Sequence, residues 1–294
     1  MEFEKLSTLV ELLCRGSRIS VCVCDISGIL QQEALELPFA RKIHSAAFCD
    51  GAKSTRRGYR LCIKCKERAN RKAVREGQPF SGCCPCGLYE AVYPVEVDGS
   101  VRCVVYVGNL LPDREAAEKR LERASRITGV SPERLKNELD RGETELSPED
   151  AMKMAQLIGS YVKLLCRVGE AAAVSPHHWA VETLIEYVRL HYAYPISLRD
   201  LARLYYINEK YIGRLFKAQT GKTFHQYLTG VRLEEAERQL LTTSRSITDI
   251  AESCGFESAS YFNRIFRERW SMTPSEYRRR GGETAGFSPE NLVK

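Results

Sequence analysis

Cysteines are the residues of this 294-residue sequence best suited to chemistry. The chain has 12 of them. Ten lie at or before Cys103, and only Cys166 and Cys254 lie beyond it. In a reducing compartment, such a cluster indicates metal binding or redox chemistry before disulfide bonds. We therefore expect a thiol-based site in the first half of the chain.

The spacing of these cysteines suggests how they would bind a ligand. In Cys62-x-x-Cys65, the two intervening residues allow both sulfurs to converge on one ion, and the run Cys83-Cys84-Pro85-Cys86 follows eighteen or so residues later. Four thiolates can close a tetrahedral zinc site or hold an iron–sulfur cluster. The predicted ligands of Zn²⁺ or of a cluster are Cys49, Cys62, Cys65 and Cys84, with Cys86 as an alternative ligand.

Two other roles for these cysteines stay open. One is a disulfide switch that responds to redox state, and the other is packing as small buried hydrophobes, which we expect for Cys14, Cys22, Cys24 and Cys103. Positive charges next to a thiol favour the thiolate. The basic residues close to the CxxC pair are Lys53, Arg60, Lys64 and Lys66.

The elements that must position these cysteines form an α+β pattern. Residues 19–30 read as a strand and a turn, and residues 91–97 and 101–107 read as two strands joined by Asp98-Gly99, a strong hairpin signal. Helices are expected at about 65–76, 113–128, 131–140 and 149–168. The last is predicted to have an apolar stripe formed by Met154, Leu157, Ile158, Tyr161, Leu164 and Leu165.

The second half is predicted to be helical throughout and contains an internal repeat. Residues 197–202 (SLRDLA) return as 246–251 (SITDIA), and residues 211–217 (YIGRLFK) return as 261–267 (YFNRIFR). Each copy predicts a short helix capped by its Ser, then a turn, then a second helix of about three turns. Gly255 suits the turn of the second copy.

The second helix of each copy has an apolar back and a polar front, as a reader of the DNA major groove needs. Arg can pair with guanine and Asn with adenine, while the last basic residue of each helix is better placed for phosphate. The predicted DNA-binding residues are Asn208, Glu209, Lys210, Tyr211, Arg214 and Lys217 in the first copy and Ser258, Ser260, Asn263, Arg264 and Arg267 in the second.

Residues 179–280 resemble the DNA-binding domain of the AraC family. The motifs that carry the resemblance include Thr220-Gly221, Arg232-Leu233-x-x-Ala236, Gly255-Phe256 and Thr273-Pro274-Ser275-x-Tyr277. The resemblance implies two helix-turn-helix units that enter successive major grooves, joined by a linking helix at about 224–241. Ser271 departs from the family pattern, because a glycine usually ends the helix there.

Residues 5–168 resemble the PocR sensory domain, a variant of the PAS-like fold. The resemblance is carried by Phe48-Cys49, Leu61-Cys62-x-x-Cys65, Gly77-x-Pro79 and Cys84-x-x-Gly87-Leu88. It implies that a small organic molecule or a similar signal binds in a cavity against the sheet. Tyr89, Tyr93, Tyr106 and Asn109 are candidate lining residues, and ordinary core packing is the alternative for them. Pro85 stands where family members often have a His, and Cys86 is additional.

Together these features predict an α+β, PAS-like, cysteine-rich sensory domain followed by an all-α domain with a double helix-turn-helix. The predicted boundaries are 1–168 for the first domain, 169–178 for a linker, 179–281 for the second domain and 282–294 for a flexible tail. The net charge of +6 is too small to establish nucleic-acid binding on its own. No apolar run is long enough to span a bilayer, and we expect a cytoplasmic protein.

The leading hypothesis is a transcription regulator whose first domain senses a small molecule or a metal or redox state. Its expected partners are double-stranded DNA, a small-molecule effector and, as a further candidate, RNA polymerase, and it would act as a monomer or homodimer. The alternative is a thiol-based enzyme, such as a methyl acceptor in DNA repair, with an AraC-like targeting module. Against an enzyme, His44 is the only histidine of the first domain, so a base for a cysteine nucleophile is hard to supply.

Overall fold

The computed structural model describes residues 4–44, 46–140, 146–168 and 178–281. The predicted linker, apart from residue 178, and the predicted tail at 282–294 lie outside the described residues. The chain forms two compact units. One comprises Met1–Leu184 and Arg199–Ile212, and the other comprises Ile185–Leu198 and Gly213–Lys294.

The first unit is built on a four-stranded sheet in the order β1-β4-β3-β2. Each neighbouring pair of strands is antiparallel. Asp98 and Gly99 join β3 to β4 with positive φ angles of 53° and 73°, the geometry of the expected two-residue hairpin. The strands are β1 (Ser20–Asp25), β2 (Phe80–Cys83), β3 (Tyr89–Val97) and β4 (Ser100–Leu110).

In the described ranges, seven helices accompany this sheet, and seven more follow along the chain. Short 3₁₀ turns occupy Ile29–Gln31 and Glu33–Leu35. The first helices are α1 (Leu6–Cys14), α2 (Phe39–Lys42), α3 (Ala47–Ala52), α4 (Arg56–Glu76), α5 (Arg114–Thr128), α6 (Pro132–Asp140) and α7 (Pro148–Val168). The remaining helices are α8 (His178–His191), α9 (Leu198–Leu204), α10 (Glu209–Thr220), α11 (Phe224–Thr242), α12 (Ile247–Ser253), α13 (Ala259–Trp270) and α14 (Pro274–Arg279).

The helix that carries the CxxC pair is longer than expected. It begins at Arg56 rather than near 65, because the Thr55 hydroxyl caps it by accepting a hydrogen bond from the Gly58 amide. Cys62 and Cys65 therefore lie three residues apart on a regular helix, where positions i and i+3 share a face. The backbone of α4 thus fixes the direction of both thiols.

The apolar stripe predicted for α7 is partly wrong. Ile158 and Leu165 are buried as expected, together with Ala151, Ala155 and Val162, in the core cluster that includes sheet residues. Leu157 and Leu164, by contrast, are 52% and 38% exposed. The buried face is narrower and uses small residues because the helix packs closely on the sheet: a Cβ at Gly159 would lie only 2.6 Å from the Tyr93 ring.

The second unit has its own core, formed by α11 to α14. Its centre is aromatic, with the rings of Phe266 and Trp270 stacked at 4.1 Å. The Arg232 guanidinium holds the preceding segment by donating to the carbonyl oxygens of Tyr192 and Tyr194, at 2.7 and 2.8 Å. The expected linking helix is α11, and the order of elements confirms the prediction of an α+β domain followed by an all-α domain.

Within the ranges that the structure describes, none of the helices combines the length and low polarity that a membrane crossing requires.

Candidate cysteine pocket and nucleic-acid interface

Three separate segments bring five cysteines to one pocket in the first unit. Cys49 comes from α3, Cys62 and Cys65 come from α4, and Cys84 and Cys86 come from the turn after β2. The pocket encloses about 370 Å³ of space, part of it open to solvent. The structure therefore brings together all four predicted ligands and the alternative ligand, which lie up to 37 residues apart in sequence.

The turn that presents Cys84 and Cys86 is held by its own backbone. The amide of Cys84 donates to the Leu88 carbonyl at 2.7 Å, and the amide of Gly87 donates to the Cys84 carbonyl at 3.0 Å. Gly87 has a φ of 103°, and a Cβ there would lie 2.6 Å from the Ala117 carbonyl oxygen. Only glycine fits this position, since both the backbone angle and the space exclude a side chain.

The other cysteines are separate from this pocket. Those expected to pack as small hydrophobes are buried, with exposed fractions of 9% or less: Cys14, Cys22, Cys24 and Cys103. Cys83 precedes Cys84 but is exposed and does not line the pocket. All 12 cysteines lie in the described ranges and are free thiols. In those ranges, no group of three or more His, Cys, Asp or Glu side chains is arranged as a metal site.

A buried ionic cluster beside the pocket was missed in the sequence. The Lys66 ammonium lies 2.7 Å from both carboxylate oxygens of Glu90, and the His44 Nε2 atom lies 2.8 Å from Glu90 Oε1. His44 Nε2 is also 3.8 Å from the Cys49 sulfur. Only the position of Lys66, directly after Cys65, hinted at this role. Glu90 looks like an ordinary strand residue until the sheet places it opposite α4.

These charges act on the thiols and on one another. Burial favours the neutral thiol of Cys62, yet a hydrogen bond with His44 and the nearby charges of His44, Lys53 and Lys66 lower its pKa. Burial instead raises the pKa of Cys65, and it raises that of Cys86 to about 12. Cys62 is thus the pocket cysteine whose pKa is held down. Of the basic residues suggested by the sequence, Lys53 and Lys66 contribute, whereas Arg60 and Lys64 are exposed.

His44 corrects one step in the sequence argument against an enzyme, because a histidine does lie beside a cysteine. It still does not form a relay from carboxylate through imidazole to the Cys49 thiol. Such a relay needs the carboxylate on one ring nitrogen and the nucleophile on the other. Here Nε2 faces both Glu90 and Cys49. The Nδ1 atom is buried without a hydrogen-bond partner among the described residues.

The aromatic residues proposed to line a ligand cavity do not line this pocket. Tyr106 is 2% exposed, within the core, and Tyr93 packs on Gly159. The Tyr89 hydroxyl donates to the Ser81 hydroxyl at 2.5 Å, and the Asn109 side chain donates to the Arg18 carbonyl. Tyr89 and Tyr93 lie on β3, and Tyr106 and Asn109 lie on β4.

The second helix-turn-helix consists of α12 and α13 and lies wholly in the second unit. Ser246 caps α12 by accepting from the Asp249 amide, and Ser258 caps α13 by accepting from the Tyr261 amide. Gly255 makes the turn with a φ of 83°. All five predicted DNA-binding residues of this copy are exposed: Ser258, Ser260, Asn263, Arg264 and Arg267. Arg264 also pairs with Glu268 at 2.6 Å, an exposed contact that DNA can replace.

The first helix-turn-helix consists of α9 and α10. The Asn208 side-chain oxygen caps α10 by accepting from the Tyr211 amide at 3.0 Å, in the same way as Ser258 caps α13. Five of the six predicted residues are exposed, and Tyr211 is half-buried: the exposed ones are Asn208, Glu209, Lys210, Arg214 and Lys217. Phe216 is fully buried on the opposite face of the helix. Both copies thus have the packed back and polar front that groove reading requires.

Two protein families match different parts of the chain. The family described as "Sensory domain found in PocR" matches residues 2–170, which is more than half of the chain, and the family described as "Helix-turn-helix domain" matches residues 201–280. The two matches together define a chain with a sensory domain followed by a helix-turn-helix domain. The chain belongs to the AraC family of transcription regulators and carries an N-terminal PocR sensory domain.

Individual relatives match over part of the chain. The transcriptional regulatory protein YesN of Bacillus subtilis is 42% identical over 95 residues, which cover 31% of this chain and 26% of YesN. The regulatory protein SoxS of Salmonella typhimurium is 36% identical over 104 residues, covering 35% of this chain and 97% of SoxS. The regulatory protein PocR of the same organism is 30% identical over 111 residues, covering 38% of this chain and 37% of PocR.

The match spans only about a quarter of YesN and about half of the regulator YijO of Escherichia coli. Among solved structures, the DNA-binding domain of AdpA in complex with a target DNA is 26% identical, with a TM-score of 0.33, and covers 34% of this chain and 91% of that domain. The matched relatives are transcriptional regulators, and the comparisons do not support the enzyme alternative.

Proposed function

We propose that this protein binds promoter DNA through its two helix-turn-helix units and changes its DNA affinity when a thiol-binding ligand occupies the cysteine pocket. One observation carries the proposal: five cysteines from three segments line one pocket in a chain that also carries the AraC-type domain. The proposal places the protein in the cytoplasm.

On the DNA side, the proposal rests on exposed polar side chains over a packed helix back. Arg214 and Arg264 occupy equivalent positions on α10 and α13, and both are exposed. A bidentate contact from arginine to guanine contributes about 1–3 kcal/mol of discrimination between bases. We assign base reading to these two arginines and phosphate contacts to Lys217 and Arg267, which lie one turn or less further along each helix.

On the ligand side, the pocket's sulfur atoms suit a soft ion such as Zn²⁺ or the iron of an iron–sulfur cluster. Lys66 and His44 add positive charge, which favours thiolate at Cys62. The sulfurs are gathered but, in the described ranges, are not spaced as a metal site. We nevertheless propose a thiol-binding ligand for this pocket, and Zn²⁺ is the first candidate to test. An iron–sulfur cluster and a small organic molecule are the other candidates.

The test begins with anaerobic purification and measurement of zinc, iron, acid-labile sulfide and the visible spectrum. DNA affinity is then measured on a site selected from random duplexes, with the purified protein before and after treatment with a chelator. About one zinc per chain, together with a change in DNA affinity on its removal, would support the proposal. If DNA affinity were the same with and without metal, the metal form of the proposal would fail.

Two cysteine variants make the test specific. Cys62→Ser removes the pocket thiol with the lowered pKa, and Cys83→Ser removes an exposed thiol outside the pocket. We expect loss of metal and of ligand response in the first variant only. Equal behaviour of the two variants would exclude the pocket as the sensing site.

A further inference from the structure

One helix carries both the cysteine pocket and a contact to the first helix-turn-helix unit. On α4, Cys65 and Lys66 line the pocket. Asn70 lies one turn further along, on the same helix face as Lys66 because positions i and i+4 align. The compact unit that contains α4 also includes Arg199–Ile212, and therefore all of α9 except its first residue.

Asn70 is the residue that makes this contact. It is 1% exposed, and its Nδ2 atom donates to the carbonyl oxygen of Leu204 at 3.0 Å. The same Nδ2 atom lies 3.2 Å from the Cys24 sulfur, and Oδ1 accepts a hydrogen bond from the Tyr106 hydroxyl. A buried amide with partners on both of its atoms is held in one orientation, since turning it over would break these bonds.

Leu204 lies at the end of α9, the first helix of the first helix-turn-helix. The last carbonyl groups of a helix have no partner within the helix and need one from elsewhere. Leu204 is the last residue of α9, and Asn70 supplies a donor to its carbonyl. The turn continues through Tyr206, whose φ of +58° is unusual for a non-glycine residue. Arg71, next to Asn70 on α4, lies close to the side chain of Tyr206.

A continuous chain of buried polar contacts runs from Asn70 back to the pocket. The Tyr106 ring lies 3.8 Å from the Lys66 ammonium, and that ammonium lies 2.7 Å from Glu90. Glu90 is paired in turn with His44, which lies beside Cys49 in the pocket. A ligand that draws on Lys66 or His44 competes with their pairing to Glu90 and changes the charge that faces the Tyr106 ring, whose hydroxyl donates to Asn70.

We infer that Asn70 couples the cysteine pocket to the turn of the first helix-turn-helix unit. The inference rests on the proposed function, in which pocket and DNA affinity are linked. Asn70 holds the end of α9 while the ionic cluster of Lys66, Glu90 and His44 is intact, and it loosens that end when the cluster is disturbed. The turn between α9 and α10, which presents α10 to DNA, then becomes less ordered. Binding of a ligand in the cysteine pocket therefore alters the affinity for DNA, and DNA binding alters the affinity for the ligand.

The experiment measures hydrogen–deuterium exchange of the full chain in the segment 198–208, so it needs neither the ligand nor the DNA site. The variants are Glu90→Gln, which disturbs the pocket end, Asn70→Leu, which removes the amide at similar size, and the double variant. Arg68→Ala is the matched control, because Arg68 is exposed on the same helix. Exchange in α7 corrects for any loss of stability of the whole unit.

We expect each single variant to speed exchange in 198–208 by about three- to tenfold relative to α7, the effect of losing one hydrogen bond. The double variant should exchange no faster than Asn70→Leu alone, and Arg68→Ala should match the parent protein. Additive effects in the double variant, or parent-like exchange in either single variant, would overturn the inference.

If Glu90→Gln does not fold, Tyr106→Phe takes its place, because it removes only the hydroxyl that donates to Asn70. The same expectations then apply to this pair of variants. Failure of the proposed function would instead be seen in the DNA and metal measurements, and would leave this exchange result unchanged.

Discussion

Gly221 and Ser271 occupy equivalent positions in the two helix-turn-helix units, and both adopt the left-handed backbone conformation. Gly221 follows α10 with a φ of 71°, and Ser271 follows α13 with a φ of 58°. The Ser271 amide still donates to the Arg267 carbonyl at 2.8 Å, as in a normal left-handed helix cap. The departure of Ser271 from the family pattern therefore changes the residue and not the geometry.

Ser271→Gly should stabilise the second unit by about 0.5–1 kcal/mol, because glycine adopts this conformation without steric cost. The free energy of unfolding in urea measures the effect. Gly221→Ala is the reciprocal change and should destabilise by a similar amount, since no atom crowds its Cβ and only the backbone angle opposes it. A destabilised Ser271→Gly variant would contradict this account of the cap.

Glu90→Gln should destabilise the first unit by about 3–5 kcal/mol, because it leaves the buried ammonium of Lys66 without its carboxylate. Adding Lys66→Met should recover a large part of this loss, as the uncompensated charge is then gone. Chemical unfolding of the parent protein, of Glu90→Gln and of the double variant Glu90→Gln/Lys66→Met measures these differences in stability. Glu115→Gln is the control: Glu115 pairs with Lys119 on the surface, and its loss should change stability by less than about 0.5 kcal/mol.

The contribution of Glu90 should disappear in acid. Burial alone would raise its pKa, but Lys66 and His44 outweigh burial and lower the pKa below the ordinary value of 4.5. A lowered pKa in the folded state means that the stabilisation is present above pH 4.5 and declines as the pH falls below it. The difference in unfolding free energy between the parent protein and Glu90→Gln should thus shrink from about pH 5 to about pH 3. If this difference in unfolding free energy stayed constant over that range, the prediction would be refuted.

Arg214→Ala and Arg264→Ala should each cost about 1–3 kcal/mol of specific DNA affinity and should relax the preference at one base position. Binding to a selected duplex and to its single-base variants, at fixed salt concentration, measures both effects. Arg123→Ala removes an exposed arginine from α5 and serves as the control for net charge. If both helix variants bound like the control, α10 and α13 would not be the reading helices.

The sequence alone determined the elements whose signals are local. The Asp98-Gly99 hairpin, the helix-turn-helix repeat and the linking helix follow from turn residues, capping residues and apolar periodicity, and the structure has each of them. The gathering of Cys49, Cys62, Cys65, Cys84 and Cys86 was also expected, because Cys62 and Cys65 have the spacing of a chelating pair and the other three flank that pair in the sequence. The predicted DNA contacts and the bound ligand remain predictions.

Only the tertiary structure decided which partners the buried charges have. Glu90 pairs with Lys66 because the sheet places β3 against α4, and Asn70 reaches Leu204 across 134 residues of sequence. The buried face of α7 likewise depends on the sheet it covers, so periodicity alone assigned Leu157 and Leu164 to the wrong side. Local signals fix helices, strands and turns, whereas a pair between distant residues exists only once packing has brought them together and excluded water.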